Sequence, residues 1–574
     1  MRKNKKKVMY LSMAAIMLLT AGCGNGKTTT EETKTSETKA EASNEGTDET
    51  KGGESGEREM GESGVYKTGL PIVDEEQTLK VLAIQNDPDV SPEDSVFVQE
   101  IAEQTGVKIE WETVQKTAWP EKKGLLFASG ELPDVILGGD FTDSELLTMA
   151  DGGQILPLND LIEEYGENFK QICSEDENLI KDITAPDGNI YGLPRYMSGV
   201  DESLPAVAST REMLYINQDW LDKLGLEMPT TTEEFKEVLI AFRDGDPNGN
   251  GKADEIGLSA VETTAAGIFD MWFGSFGVLP SNSVANYKNI TMKDGKVVYA
   301  AVQPEYKEAI KYFHELWQEG LIDKESFTQD SSMWTAKLKN PGDRTVGAFS
   351  AWRGTSFRLD DNDDEYVVMP PLKGPDGECL YTKYYYGVTS RGSFVITSAC
   401  ENPELAMRWG DNLVAPLNSY QNWTDTKIGY SIQLNEAGDQ FELIEPQPEF
   451  GTAEYKKQIG KYGLTCVSAS TMAMKPDDPN PLSVDNEVAQ GKPIYSPYFP
   501  EEYYPNTFLS LEESELVSEL QADIEEYVKQ MYAKWISEGG IDEEWDSYLA
   551  KLDSMGLAEY LAQYQSALDR YNAQ

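Results

Sequence analysis

Apolar positions along this chain come in two rhythms, short runs of strand length and longer stretches with helical spacing, and the two meet most clearly between Leu214 and Gly257. Leu214 to Asn217 (Leu-Tyr-Ile-Asn) is a short, mostly apolar run of strand character. From Gln218 the spacing turns helical and stops at Gly225, as a glycine just past a helix end does. Pro229 halts the chain, Thr231 or Thr232 offers a cap, and Glu233 and Glu234 fall in the first turn, where carboxylates complement the helix dipole. Phe235, Val238, Leu239 and Phe242 then recur on one helical face, which runs directly into an Asp/Asn/Gly loop from Asp246 to Glu255 and a strand at Ile256-Gly257-Leu258.

The same alternation fills most of the chain. Thr78 to Ile84 predicts a strand, Ser95 to Gln104 a helix ending before Gly106, and Val107 to Val114 a second, alternating strand. Leu132-Pro-Asp-Val-Ile-Leu brings a third strand, and Leu156-Pro157-Leu158 precedes a helix from Asn159. Tyr306 to Gly320 is an amphipathic helix, Thr345 to Ser350 and Phe394 to Thr397 are strands, and a helix starts at Pro403. Ser514 to Tyr571 reads as helix throughout, broken at Gly539-Gly540 and at Gly556. Strands separated by helices of this length predict α/β architecture, with parallel sheets covered on both faces.

The start of the chain follows neither rhythm. Arg2, Lys3, Lys5, Lys6 and Lys7 form a basic leader, and Val8 to Thr20 is apolar but too short to span a bilayer, which is the layout of a secretory signal. It ends in Leu19-Thr20-Ala21-Gly22-Cys23, which resembles a bacterial lipobox, in which the cysteine is acylated and becomes the mature N-terminus. The expectation is a signal peptide at residues 1–22 and an acylated Cys23 heading a disordered acidic tether to about residue 75, rich in Thr, Glu, Ser, Lys and Gly. That sets the protein on the outer face of a cell membrane, held by lipid.

Composition narrows the function. A formal net charge of −51 over 574 residues leaves no basic surface able to dominate, so nucleic acid is excluded as a partner. The single histidine, His314, lies in a helical pattern, which argues against histidine-dependent catalysis and multi-histidine zinc sites. Cys173, Cys379, Cys400 and Cys466 are too widely spaced for a metal pattern, and their pairing is not readable. Roughly 500 residues remain after the leader and tether, enough for a large two-lobed body.

The sharpest chemical signal is the Asp246 loop. Asp246, Asn248, Asn250 and Asp254 place oxygens at alternating positions, Gly251 falls at the sixth, and Lys252 at the seventh would offer its backbone carbonyl. The twelfth position is Gly257 rather than a bidentate Glu, and Glu255 is the natural substitute. The reading is a structural Ca2+ site that leaves a helix and enters a strand; the alternative is a metal-free turn, since Asn, Gly and Asp also dominate turns.

Several segments, in order, resemble a known family: Ala128-Ser-Gly-Glu-Leu-Pro-Asp-Val-Ile, Leu156-Pro-Leu-Asn-Asp-Leu-Ile, Ile190-Tyr-Gly-Leu-Pro, Tyr215-Ile-Asn-Gln-Asp-Trp-Leu-Asp-Lys-Leu-Gly, Pro229-Thr-Thr-Thr-Glu-Glu-Phe, Glu319-Gly-Leu-Ile-Asp and Asn402-Pro-Glu-Leu-Ala-Met-Arg-Trp. With the lipobox and the C-terminal helices, the chain resembles the family 1 extracellular solute-binding lipoproteins of carbohydrate ABC importers, in the branch of alginate-oligosaccharide-binding and LipO-like proteins. The resemblance implies a periplasmic-binding-protein-like fold of two discontinuous α/β lobes with the ligand cleft between them. It also implies capture by hinge closure, delivery to ABC permease subunits, no enzymatic activity, and calcium in the Asp246 loop. A monomer is expected, because delivery to a transporter does not require self-association.

Crossings between lobes are expected near Arg211–Tyr215, Tyr384–Gly387 and Tyr498–Asn506. Lobe 1 would then be about 76–212 and 386–500, and lobe 2 about 213–385 and 501–574. A sugar site needs flat apolar faces and polar groups for hydroxyls. Trp272, Trp352, Arg353, Tyr385 (with Tyr384 and Tyr386), Arg195 and Tyr196 are the candidates, whereas Trp220, Trp409 and Trp535 lie in amphipathic helices and are expected in the core. Arg195, Arg211, Arg353 and Arg391 are the groups that could pair with an acidic sugar, so neutral and acidic ligands both stay open at this point. The alternative functions are a peptide-binding lipoprotein of the same two-lobed build and, less in keeping with these segments, a surface glycoside hydrolase using two carboxylates.

Overall fold

The computed structural model describes residues 58–85, 90–198, 212–262, 267–280, 288–341, 344–360, 363–383, 387–424, 427–438, 440–445, 447, 462–474 and 484–574. Cys23 and the leader, Arg211 and Tyr384–Tyr386, including the candidate Tyr385, lie outside the described residues.

Two sheets organise the body. Strands β1 (Gln77–Gln85), β2 (Val107–Gln115), β3 (Val135–Phe141) and β4 (Leu193–Met197) belong to the first, with β5 (Met213–Asn217) and β6 (Ile256–Leu258) in the second. A hairpin of β7 (Ile290–Lys293) and β8 (Lys296–Tyr299) follows, then β9 (Val346–Ala351) and β10 (Tyr366–Met369) of the second sheet. Strand β11 (Gly387–Ile396) returns to the first sheet, β12 (Ile432–Leu434) and β13 (Phe441–Leu443) pair with each other, and β14 (Cys466–Val467) completes the first sheet. The orders are β14-β4-β11-β3-β1-β2 and β10-β5-β9-β6.

Strand β1 shows why the first sheet is interior. Leu79, Val81 and Ala83 point into one core with Val107, Val135 and Trp409, while Leu82 points into another with Ile136, Val395 and Trp119. A strand buried on both faces loses the polar alternation of a half-exposed one. Its edge neighbour β2 keeps that alternation.

The expectation of parallel sheets needs correction. β1 runs parallel to β2 and β3, but β11 is antiparallel to β3 and β4, and β5 is antiparallel to β9 and β10. The physical reason is connectivity: β11 has no helical crossover from the first sheet but arrives from the second, after β10, so nothing imposes a parallel entry.

The helix Thr232–Gly245 is capped at Thr231 with a complete capping box to Glu234. The tail forms helices Leu511–Glu538, Ile541–Ser554 and Leu557–Ala573, and Gly539 and Gly540, at φ 82 and φ 92, supply the left-handed turn between the first two. These helices pack on the second core: the Tyr532 hydroxyl accepts from Phe269 N at 2.9 Å, and the Tyr548 hydroxyl donates to Ala301 O at 3.2 Å. Trp220, Trp409 and Trp535 are all fully buried.

Two boundaries differ from expectation. Residues 58–75, expected in the tether, pack on the body: Val65, Ile72 and Val73 are buried in the first core, and Arg408 donates to Tyr66 O and Gly69 O. A few apolar residues suffice there because a buried arginine holds the polar backbone between them. The segment Val484–Tyr495, expected in lobe 1, packs on the second core instead. The Tyr495 hydroxyl accepts from Leu214 N at 2.8 Å and donates to Met369 O at 2.7 Å, tying the helix to β5 and β10.

Candidate functional site

Three chain segments meet where the two sheets are joined. Tyr381 donates from its hydroxyl to Glu212 O at 2.6 Å, its ring lies 4.3 Å from that of Tyr495, and its amide donates to Tyr498 O at 2.7 Å. Both tyrosines are buried, and burial pushes their phenols far above the ordinary range, so they serve as neutral hydrogen-bonding pegs. These backbone and tyrosine-hydroxyl contacts tie the segments at Glu212, Tyr381 and Tyr495–Tyr498 to one another.

On the first sheet, β3 carries Gly138-Gly139-Asp140 near its C-terminal end, with Asp140 in left-handed backbone at φ 44. Its carboxylate accepts from Arg195 Nη2 at 3.0 and 3.2 Å and from the Ser393 hydroxyl at 3.2 Å. Arg195 is thus held at the sheet surface with its charge matched. Tyr196, the next residue on β4, points the opposite way, as strand alternation requires. It is 1 % exposed and donates to Asp176 at 2.9 Å, so the expectation of a sugar-facing Tyr196 is corrected: it is core.

On the second sheet, β9 is followed directly by Trp352 and Arg353. Trp352 is 49 % exposed, and the Arg353 guanidinium carbon lies 4.4 Å from its ring centroid. Trp272 does not join them. It sits in the 3-10 helix Asp270–Phe276, 3 % exposed, stacked 4.9 Å from Phe235. Gly274 lets the Leu380 carbonyl come close and Gly277, at φ 84, ends the helix, so the expected role of Trp272 at the cleft is also corrected. Arg391 is likewise committed, to Asp143, Asp182 O and Asn506. Sequence reasoning missed Asp140, Ser393 and Glu487; the Gly-Gly-Asp at a strand end was the readable signal for the first.

The Asp246 loop is tightly wound. Asp246, at φ 47, accepts from Gly251 N at 3.1 and 3.2 Å, the Asn248 carbonyl oxygen of the side chain accepts from Asn250 N at 3.0 Å, and that of Asn250 accepts from Lys252 N at 2.8 Å. Asn248 and Asn250 also donate to Asp254 at 3.1 Å. Both Glu255 carboxylate oxygens are buried with no hydrogen-bond partner; burial, joined by the charges of Asp254 and Asp246, pushes that carboxyl up. A buried, unpartnered carboxylate beside two more acids fits a cation. Among the described residues no three Asp, Glu, His or Cys side chains converge on one point, so a cation here would also draw on Asn248, Asn250 and backbone carbonyls.

Two α/β lobes tied by the Tyr381 and Tyr495 contacts, with polar and aromatic groups near the strand ends, are the build of a two-lobed solute-binding protein. The chain belongs to the bacterial extracellular solute-binding protein family, whose profile matches residues 88–416. It is 33% identical over 507 residues, 87% of this chain and 91% of the other, to the fructooligosaccharide ABC transporter substrate-binding protein FusA of Streptococcus pneumoniae serotype 4 (strain ATCC BAA-334 / TIGR4). The structure of a FusA EF-hand mutant in complex with fructo-nystose matches with a TM-score of 0.71, covering 87% of this chain and 100% of that one, and FusA has also been solved with kestose. A solute-binding protein described as binding HMO, from Bifidobacterium longum infantis ATCC 15697, is 26% identical with a TM-score of 0.74, covering 87% and 99%. Lipoprotein LipO of Bacillus subtilis (strain 168) is 26% identical over 54% of this chain and 59% of its own length. Among the described residues no helix is long and apolar enough to cross a membrane.

Proposed function

We propose that this protein captures a neutral oligosaccharide, in the first instance a fructooligosaccharide, and delivers it to the permease subunits of an ABC importer. The observation that carries this is the likeness to FusA across 87% of the chain. The hinge supplies the mechanism: a ligand touching both lobes stabilises the closed state, and that state is what the permease reads. Trp352 is the sugar platform, offering its exposed face to C–H groups, with Arg353 behind it and Arg195 with Asp140 on the other sheet for hydroxyls. Neutral ligands are favoured because the charges of Arg195 and Arg391 already face Asp140 and Asp143. Acylated Cys23 tethers the monomer to the outer membrane face, and LipO, a lipoprotein by name, supports that. Calcium in the Asp246–Glu255 loop is structural; the EF-hand named for FusA supports it.

The test is thermal unfolding of residues 58–574 against fructooligosaccharides, neutral milk-type oligosaccharides, uronate oligosaccharides and peptides. A ligand that binds only the folded state raises the melting point by mass action. A shift with a neutral glycan alone is the expected result. A shift with peptides alone would replace this reading with the peptide-binding one, and release of shorter sugars during incubation would bring back the hydrolase.

A further inference from the structure

Helix Val484–Tyr495 sends the Glu487 side chain into the turn that follows β9. The Glu487 carboxylate, 8 % exposed, accepts from Gly354 N at 2.8 Å and from Thr355 N at 3.3 Å to each oxygen. Those amides open the short 3-10 helix Gly354–Phe357, where backbone N–H groups have no partner within the helix. The fit leaves no slack: a Cβ on Gly354 would lie 2.5 Å from Tyr215 Cε1 and 2.8 Å from Glu487 Oε1. Only glycine there lets the carboxylate reach both amides.

The two residues immediately before these amides are Trp352 and Arg353. Their side chains stack on each other, and the buried Arg353 Nε has no hydrogen-bond partner, so little else among these contacts fixes where the pair points. We propose that Glu487 is a positioning residue: by holding the Gly354 and Thr355 amides it sets the direction of the Trp352–Arg353 pair, so that a helix returning after the second passage through the first sheet completes the sugar contact on the second. This rests on the reading of Trp352 as the sugar platform. The negative charge strengthens both contacts, since hydrogen bonds to a charged group are about twice as strong as neutral ones. A glutamine keeps the shape and one acceptor oxygen but loses the charge.

The experiment combines Glu487→Gln and Glu487→Ala with Trp352→Phe and Trp352→Ala, each checked by melting temperature. Positioning is read without sugar: in protein labelled with 5-fluorotryptophan, Trp352→Phe identifies the Trp352 resonance, and Glu487→Gln shifts or broadens that resonance. Function is read by calorimetric titration with kestose. Glu487→Gln weakens binding about tenfold in the native background, the loss of roughly one charged hydrogen bond, and less than twofold in the Trp352→Ala background. A Trp352 resonance that does not move in Glu487→Gln overturns the proposal, and so does an affinity loss of equal size in both backgrounds. If the native protein binds no sugar, or Trp352→Ala binds like it, the functional reading fails instead, and the fluorine spectrum alone then decides for or against Glu487.

Discussion

Arg391 Nη2 lies 2.7 Å from the backbone oxygen of Asn506. The same guanidinium donates to Asp182 O at 2.5 Å and to the Asp143 carboxylate at 2.9 and 3.0 Å, and stands 4.7 Å over the Phe508 ring. Asn506 answers by donating from its side chain to Val388 O at 2.7 Å. Strand β11, which begins the second passage through the first sheet, therefore holds the Asn506–Phe508 segment. Arg391→Met leaves the part-exposed Asp143 carboxylate and two carbonyls of the buried residues Asp182 and Asn506 without their donor, a loss of about 1–3 kcal/mol, because a buried acceptor left unsatisfied costs its desolvation. Urea unfolding measures it, and a loss under about 1 kcal/mol, the range of an exposed pair, would show that the cluster is solvated.

Trp352 and Trp272 should respond to truncation in opposite ways. Trp352 is half exposed, so Trp352→Ala leaves the melting temperature nearly unchanged and weakens oligosaccharide binding at least about tenfold, as loss of an aromatic anchor does. Trp272→Ala opens a hole against Phe235 and costs about 3–5 kcal/mol of stability. Melting and calorimetric titration of both variants check this. A Trp352→Ala protein that binds normally would move the platform elsewhere.

Glu255 gives the calcium reading a test with two signs. Calcium at a hundredfold over its dissociation constant stabilises by about 2.7 kcal/mol, and a chelator removes that. Glu255→Gln removes a buried, unpartnered charge, so in chelator the variant melts at or above the native protein, yet it gains less from added calcium. If added calcium raises both melting points equally, Glu255 is not a ligand.

Much of this body was legible because strand and helix rhythms are local. The Thr231 cap, the apolar face of the helix after it and the glycine breaks of the tail depend only on neighbours in sequence. Partner choice does not. Nothing near Gly387–Ile396 says that this strand pairs antiparallel on both sides, and nothing near Glu487 says that its carboxylate will meet amides 133 residues away. Trp272 misled because glycines around an aromatic read as an open cleft, whereas here Gly274 makes room for the Leu380 carbonyl and Gly277 ends the helix. Tyr196 could have been separated from Arg195 by period-two alternation alone.

The C-terminal helix carries a pH signature. Arg570 donates to Glu513 at 2.6 and 3.1 Å, and Glu513 also accepts from Ser510 N at 2.7 Å. Burial acts to raise the Glu513 carboxyl, but the Arg570 and Ser510 hydrogen bonds outweigh it and leave it below its ordinary value. The folded state then holds fewer protons than the unfolded one, so this stability is present above the unfolded value and is lost as pH falls through the folded one. Arg570→Ala costs about 1–3 kcal/mol at pH 7, and the gap to the native protein closes on acidification. Melting curves across that range check it; a gap independent of pH would assign the loss to packing.

The Asp140–Arg195 pair predicts a change of ligand charge. Asp140 sits at φ 44, a backbone region that asparagine also tolerates, so Asp140→Asn keeps the turn while removing the charge that Arg195 faces. The Arg195 side chain is 42% exposed, and once uncompensated it becomes a donor fork suited to a carboxylate. Binding of a uronate oligosaccharide therefore strengthens in the variant, by about tenfold at low salt and less as ionic strength rises, since an exposed charge is screened. Binding of a neutral fructooligosaccharide stays the same or weakens, because Asp140 no longer accepts from a hydroxyl with full charge. Titration of both proteins with both sugars at two salt concentrations separates the cases. A gain for both sugars would mean that the variant loosens the hinge, and no gain for the uronate would place Arg195 away from the ligand.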